Sequence, residues 1–178
     1  GSHGLKQLSM ARLARQVGLV PSAIYRHFNG KDEVIDTILD LVERKLLGNV
    51  EAVRRETPDA LERLRRLLLR HVELIRENQS LPRVIFSEEI FIGHPDRKRK
   101  LYQYMSGYLA QVEAMVRQGQ DEGRILPQID AAVVSVMFLG MIQPGAILWQ
   151  MSDGAFDVTR QAERAWKRAL SGSIPVSS

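Results

Sequence analysis

The chain has 178 residues, of which 44% are hydrophobic, and a formal net charge of +4. This length suffices for one or two domains, each with a buried core. Because the chain contains no cysteine, a disulfide framework and a thiolate site are excluded, and we expect a cytoplasmic protein.

The amino-terminal segment has the pattern of a helix-turn-helix. Apolar residues recur there at the i, i+3, i+4 and i+7 spacing of a helix that Ser9 can cap, namely Met10, Leu13, Ala14 and Val17. The polar positions of this helix that face outward are Arg12, Arg15 and Gln16. Gly18 is suited to end the helix, and Pro21 is suited to the first turn of the next one.

The second short helix presents polar side chains on its outer arc. Ile24 and Phe28 share its apolar face, since they are four residues apart. The remaining arc carries Ser22, Ala23, Tyr25, Arg26 and His27. Hydroxyl, guanidinium and imidazole groups can bind phosphates and base edges, so double-stranded DNA is the leading partner.

Positive charge is concentrated in the same segment. Residues 1–31 contain five basic residues and no acidic ones, and the five are Lys6, Arg12, Arg15, Arg26 and Lys31. The remaining residues contain 20 basic and 21 acidic ones, so the whole net charge of +4 comes from this segment. A basic patch on a helix-turn-helix is typical of a DNA-binding protein. Lys31 itself either meets a DNA phosphate or is simply solvated.

Residues 8–34 resemble the DNA-binding domain of a TetR-family transcriptional regulator. The residues that carry the resemblance are Ser9-Met10, Ala14, Val17-Gly18, Ile24-Tyr25-Arg26-His27-Phe28 and Lys31-Asp32-Glu33. The resemblance implies phosphate contacts from Ser9, Tyr25 and Lys31 and a phosphate or base contact from His27. It also places Ser22, Ala23 and Arg26 at the major groove. Val20 departs from the family pattern, which often has a Ser or Thr capping the recognition helix.

The family pattern also implies a helix before Ser9, which would cover the apolar faces of the next two. No such helix is present in the sequence, and Gly1-Ser2-His3 resembles the remnant of an engineered cleavage site. We therefore expect the first helix to be either truncated or omitted as a disordered segment.

Beyond this head the sequence is helical in pattern, with no alternating β-rich run and no Gly-rich phosphate loop. Predicted helices span residues 31–48, 58–78, 81–92, 95–122, 130–151 and 156–170. Pro58 after Thr57 is taken to start one helix, and Gly123 with Pro127 separates two others. The prediction is an all-α fold with a helix-turn-helix DNA-binding domain at residues 4–47 and a larger helical ligand-binding and dimerisation domain at residues 48–172.

The fifth predicted helix is apolar nearly all round, so we expect it to be buried on several sides. Polar and helix-breaking residues interrupt its apolar run, and they argue against a membrane span: Ser135, Gly140, Gln143, Pro144 and Gly145. Pro144-Gly145 either bends this helix or marks two shorter helices. We therefore expect no membrane partner.

The sixth predicted helix has one apolar stripe, formed by Val158, Ala162, Ala165, Trp166, Ala169 and Leu170. TetR-like proteins dimerise through their last two helices. The resemblance therefore implies a homodimer with a four-helix interface and a two-fold axis.

Aromatic and methionine side chains of the central helices are candidates to line a pocket for an unknown small-molecule effector: Phe86, Phe91, Tyr102, Met105, Tyr108, Met137, Met141 and Trp149. The alternative is that they are simply core residues, as such side chains mostly are. One carboxylate of Glu88-Glu89 could meet a cationic ligand or, together with His71 or His94, a metal. Because no metal-ligand spacing is present, we favour a solvated helix face and expect no metal or cofactor.

The basic run from Arg97 to Lys100 has two interpretations. It could be a second nucleic-acid contact, but it lies at the start of a long helix. We favour a solvated basic turn.

The resemblance to TetR-family regulators implies a repressor that binds a palindromic operator as a homodimer and is released by a small-molecule ligand. Two recognition helices about one DNA turn apart, roughly 34 Å, would meet such an operator. The alternative is a helical adaptor that binds another protein without a small-molecule inducer. An enzyme is less favoured, because no nucleophile elbow, paired catalytic motif or cofactor loop is present.

Overall fold

The computed structural model describes residues 28–78, residue 85 and residues 94–170, and within these residues every regular element is a helix. This confirms the all-α prediction. The helices are α1 (Lys31–Glu56), α2 (Ala60–Glu77), α3 (Pro95–Asp121), α4 (Ala131–Gly140), α5 (Gln143–Met151) and α6 (Val158–Leu170). The predicted helix at residues 81–92 lies outside the described residues, apart from Ile85.

The chain divides into two compact units. The first is formed by Gly1–Arg44 and Ile75–Tyr102, and the second by Lys45–Leu74 and Gln103–Ser178. The described core of the first unit consists of apolar residues from α1, α2 and α3: Val34, Ile35, Ile38, Leu39, Val42, Ile75 and Leu101. The second unit has a larger core, whose bulkiest enclosed side chains are Leu67, Leu68, Tyr108, Met115, Phe138 and Ile142.

Helix α1 continues past its predicted end at residue 48. Val50 and Val53, which are buried, extend the apolar stripe that includes Leu46. Packing of this stripe outweighs the low helix propensity of Gly48. The helix ends at Glu56, where Pro58 disfavours a helical conformation for the preceding residue.

Helix α2 begins at Ala60 rather than at Pro58, and its cap is not Thr57. The Asp59 Oδ1 atom accepts a hydrogen bond from the Glu62 N–H at 2.8 Å. The Thr57 hydroxyl oxygen instead accepts one from the Asp59 N–H at 3.2 Å. A carboxylate satisfies a free helix N–H and also interacts favourably with the positive end of the helix dipole.

The fifth predicted helix is two helices, α4 and α5. Pro144 has no N–H to donate, and its ring would clash with the carbonyl of Gly140 four residues earlier. Helix α4 therefore ends at Gly140, and Pro144 lies in the first turn of α5. The sequence left open whether Pro144-Gly145 bends one helix or marks two shorter helices, and the structure has two shorter helices.

The expectation that this region is buried on several sides is wrong for a single chain. Ser135, Phe138 and Ala146 are buried, but large apolar side chains on the other side are exposed. These residues, which we call the apolar face, are Val133, Val136, Met137, Ile147, Leu148 and Met151. Within the described residues, Ala131–Met151 is also the one stretch long and apolar enough to cross a membrane by length and composition.

Helix α6 buries its predicted stripe at Val158, Ala162 and Trp166. It lies close to α5 because Gly145 has no side chain, and a Cβ atom there would lie 3.2 Å from Val158 Cγ2. The predicted orientation of α6 is thus confirmed at these three positions.

Helix α3 ends in a Schellman motif centred on Gly123, as its predicted role as a helix breaker requires. The Gly123 N–H donates to the Gln120 carbonyl at 3.0 Å, and the Arg124 N–H donates to the Gly119 carbonyl at 2.8 Å. Gly123 has a φ of 68°, which a residue with a side chain adopts only with strain.

Two glycine substitutions should therefore change stability in opposite directions. We expect Gly123→Ala to lower the free energy of unfolding by about 1–2 kcal/mol, because alanine is disfavoured at positive φ. Gly48→Ala should raise it by about 0.5–1 kcal/mol, because Gly48 lies within α1 and a Cβ atom there meets nothing within 4 Å. Urea denaturation of the two variants tests this, and a change of the same sign in both would contradict it.

Candidate functional site: charged rows and a buried polar pair

Most of the predicted DNA-binding residues lie outside the described residues: Ser9, Ser22, Ala23, Tyr25, Arg26 and His27. The backbone of Lys31 begins α1, as predicted. Just before it, the Asn29 N–H donates to Glu33 Oε2 at 2.7 Å, and the Gly30 carbonyl accepts from the Val34 N–H at 3.4 Å. The chain therefore passes directly from the predicted head into the first turn of α1.

Two complementary rows of charged residues lie where the starts of α1 and α3 meet in the first unit. The acidic row on α1, spaced at i, i+4 and i+8, is Asp32, Asp36 and Asp40. The basic row, spaced at i, i+3 and i+6 from just before α3 into its first turns, is His94, Arg97 and Lys100. Each spacing places its residues on one side of a helix, so the two rows can pair along their length.

Arg97 is the centre of this pairing. Its Nε donates to Asp36 Oδ1 at 2.8 Å, and its Nη2 lies 3.4 Å from Asp36 Oδ2. The same Nη2 also donates to the carboxylate and the backbone carbonyl of Asp32, at 3.2 and 3.3 Å. The hydrogen bond with Asp36 is the main reason that the pKa of Arg97 is raised above its usual value. A planar guanidinium suits such a two-carboxylate site better than a lysine ammonium does.

The outer members of the two rows also pair. Lys100 Nζ lies 2.6 Å from Asp40 Oδ1, and His94 Nε2 lies 3.8 Å from Asp32 Oδ1. These contacts extend the pairing from the first turn of α1 to the third.

The prediction of a solvated basic turn is therefore wrong for Arg97, whose side chain is only 5% exposed. It holds for Lys98 and Arg99, which are exposed. The sequence did contain the relevant signal, since three aspartates and three basic residues recur at helical spacing. That signal identifies a contact only when the two helix starts are known to be neighbours.

A buried polar pair lies in the second unit. His71 Nδ1 and the Tyr108 hydroxyl oxygen are 3.1 Å apart, and the two rings meet edge to face at 5.5 Å. The ring of Phe138 lies 6.5 Å from that of Tyr108. Burial lowers the pKa of His71 to about 4 and raises that of Tyr108, so both side chains are neutral at neutral pH. His71 and Tyr108 thus form a neutral polar pair within an apolar core.

The predicted ligand-lining residues fall into different environments. Tyr108 is buried, and Met105, Met141 and Trp149 are half-buried. Tyr102 and Met137 are 73% and 58% exposed, which does not fit the wall of an enclosed pocket within one chain. Phe86 and Phe91 lie outside the described residues. The lining role of the enclosed and half-buried residues stays a prediction.

The described residues contain no group of three or more side chains that could hold a metal ion. Glu88 and Glu89 lie outside them. His71, which was considered as a partner for these acids, has its Nδ1 directed at Tyr108.

Comparison with known proteins identifies two matching family models. One, described as bacterial regulatory proteins of the tetR family, matches residues 1–38, and the other, described as a tetracyclin repressor-like C-terminal domain, matches residues 57–173. The nucleoid occlusion factor SlmA of Vibrio vulnificus is 23% identical over 166 residues, which is 93% of this chain and 84% of that protein. The fatty acid metabolism regulator protein of Bacillus subtilis is 21% identical over 170 residues, 96% of this chain and 87% of that protein.

The fold is also that of solved regulator structures. The transcriptional regulator FadR from Bacillus subtilis, solved in complex with stearoyl-CoA, has a TM-score of 0.67 and 20% sequence identity. The match covers 92% of this chain and 87% of that one.

The buried histidine predicts a specific loss of stability in acid. Between pH 6.5 and 4 the unfolded chain binds a proton at His71 that the folded chain does not, so stability falls as the pH falls through this range. From pH 7 to pH 5 this one group should lower the free energy of unfolding by about 2 kcal/mol. The variant His71→Gln does not titrate and can still form a hydrogen bond with Tyr108. Its free energy of unfolding should therefore fall by about 2 kcal/mol less than that of the wild type between pH 7 and pH 5. Urea denaturation at both pH values measures the difference, and equal losses in the two proteins would exclude a buried neutral His71.

Proposed function

We propose that this chain, which belongs to the TetR family of bacterial regulatory proteins, represses transcription as a homodimer on a palindromic operator and is released by an apolar small molecule. The supporting observation is that one chain contains both a TetR-type DNA-binding segment and a tetracyclin repressor-like C-terminal domain. The chain is thus a DNA-binding transcriptional regulator. We propose further that it acts as a homodimer, that its operator is a palindrome and that an apolar small molecule releases it.

We assign DNA binding and ligand binding to different parts of the chain. Residues 4–47 act as the DNA-binding domain, and residues 48–172 act as the ligand-binding and dimerisation domain. We place the protein in the cytoplasm, where a bacterial regulator meets its DNA, and we expect no enzymatic turnover.

The apolar face supports the homodimer. Its six large apolar side chains on α4 and α5 are 47–77% exposed, and exposed apolar patches mark interfaces. A second copy of the chain covers this face through a two-fold axis, which brings α4 and α5 of both copies together. This differs from the predicted interface of the last two helices, because α6 buries its apolar stripe within its own chain. The same axis relates the two DNA-binding heads, so the preferred DNA is a palindrome.

The small-molecule site lies in the core of the second unit. We assign Tyr108, which is buried, and Met105, Met141 and Trp149, which are half-buried, to this site, because aromatic and methionine side chains adapt to apolar ligands. The stearoyl-CoA bound by the similar Bacillus subtilis regulator makes a long acyl chain the first class to test. Operator affinity measured with and without stearoyl-CoA and free stearate tests it, and no response to either would exclude this effector class.

The adaptor is the second candidate, because the chain is also similar to a nucleoid occlusion factor. An adaptor would bind DNA with an affinity that no metabolite changes. A broad metabolite screen on the bound operator therefore separates the two functions.

The apolar face should control dimerisation. We expect Val136→Glu, which adds a charge to this face, to convert the dimer to a monomer and to weaken operator binding by about tenfold or more, since the two heads are then no longer linked. The control is Ala114→Glu, an exposed position on another helix, α3. Light scattering after size-exclusion chromatography gives the mass, and a dimer that survives Val136→Glu would exclude this interface.

The recognition segment should separate two kinds of DNA contact. Sites selected from random duplex DNA provide the operator and show whether it is a palindrome. We then expect Tyr25→Ala to weaken binding to most sequences through loss of a phosphate contact, and Arg26→Ala to relax base preference as well, by about 1–3 kcal/mol at one position.

Binding should be measured at one fixed salt concentration, because phosphate contacts depend steeply on salt. Arg164→Ala is the matched control, because Arg164 is an exposed arginine of α6. Operator affinity that is unchanged in both Tyr25→Ala and Arg26→Ala would exclude the assigned surface.

A further inference from the structure

The buried charge of Arg97 is the unusual feature of the first unit. Its side chain is 5% exposed, whereas the side chains of Asp32 and Asp36 are 68% and 46% exposed. A guanidinium that has lost its water must keep its hydrogen bonds, because an unpaired buried charge is strongly destabilising. The aspartates have no such requirement. Arg97 therefore constrains the position of α1 more tightly than an ordinary surface ion pair would.

The constraint acts where the DNA-binding segment joins the rest of the chain. Asp32 is the second residue of α1, and Arg97 holds both its carboxylate and its backbone carbonyl. Asp36, one turn later, accepts a hydrogen bond from the Nε of the same guanidinium. The first two turns of α1 thus have a fixed position, and only Asn29 and Gly30 separate them from the last residue of the predicted recognition helix, Phe28.

We infer that Arg97 is a positioning residue for operator recognition: it fixes the direction in which the DNA-binding segment leaves α1, and thereby the spacing of the two heads in the dimer. The inference rests on the proposed function, because spacing matters only if two heads bind one operator.

The variant Arg97→Met removes the constraint with the least risk to the fold. Methionine fills much of the same buried volume, and the two aspartates, being partly exposed, remain hydrated when the cation is removed. Asp36→Ala is less suitable, because it leaves a buried guanidinium with fewer partners. Arg99→Met is the matched control, since Arg99 is on the same helix, is 66% exposed and pairs with Asp96.

The first experiment compares DNA spacings. The operator selected by the wild-type protein is altered by adding or removing one or two base pairs at its centre, and a single half-site is measured beside it. We expect Arg97→Met to reduce the preference for the selected spacing by about tenfold, because loosely held heads lose effective concentration on the second half-site. Half-site affinity should stay within about twofold of the wild-type value, since each head keeps its own contacts. Arg97→Lys, which retains the charge, should recover part of the preference.

A purely structural role for Arg97 gives a different result. Destabilisation would lower half-site and full-operator affinity in parallel and leave the spacing preference unchanged. Either that outcome or wild-type behaviour of Arg97→Met would overturn the inference.

The second experiment needs neither operator nor dimer, so it distinguishes failure of the inference from failure of the proposed function. Because the chain contains no cysteine, Gln16→Cys and Glu77→Cys provide two unique sites for spin labels in one unit. Labelled chains are diluted with unlabelled ones, and the distance distribution between the labels is measured without DNA. Arg97→Met should broaden it, Arg97→Lys should broaden it less, and Arg99→Met should leave it unchanged. If Arg97→Met leaves the width of the distribution unchanged from that of the wild type, Arg97 has no positioning role.

Discussion

A helix in water must bury its apolar stripe, and this constraint governs every described element of the chain. Helices α1, α2, α3 and α6 bury their stripes within the chain, and the bounds of α1 follow from it, since Val50 and Val53 extend the helix past Gly48. Helices α4 and α5 have too much apolar surface for their own chain to cover. The same constraint thus accounts both for the folded core and for the surface that we assign to a second copy.

Much of the fold was predictable from the sequence, because its determinants are local. Helical periodicity identified the described helices, and it also identified the buried stripe of α6. Gly123 was predicted, together with Pro127, to separate two helices, and it does end α3, because a residue without a side chain accepts a positive φ easily. The residues that resemble a TetR DNA-binding domain likewise lie within one short segment, and the family assignment is confirmed.

What could not be predicted depends on which helices are neighbours. The apolar stripe of Val50 and Val53 predicts a longer α1 only when the residues that bury it are known. The exposure of Met137 and Tyr102 follows from the side on which the chain covers each helix, which periodicity alone does not reveal. Arg97 belongs to a basic run that is typical of a solvated surface, and its burial follows from the acidic row on another helix. The DNA-binding side chains and the ligand set remain predictions.

The unequal exposure of the charged partners has an evolutionary consequence. Asp32 and Asp36 are compatible with water on their own, so a chain could have acquired them before any cation lay opposite. An enclosed arginine at position 97 without those carboxylates would have lost the hydrogen bonds that they accept. We therefore expect that the aspartates appeared first in evolution and the arginine second. Where the pairing is lost, the arginine should be lost before the aspartates. Present-day relatives that lack the arginine can therefore keep the aspartates.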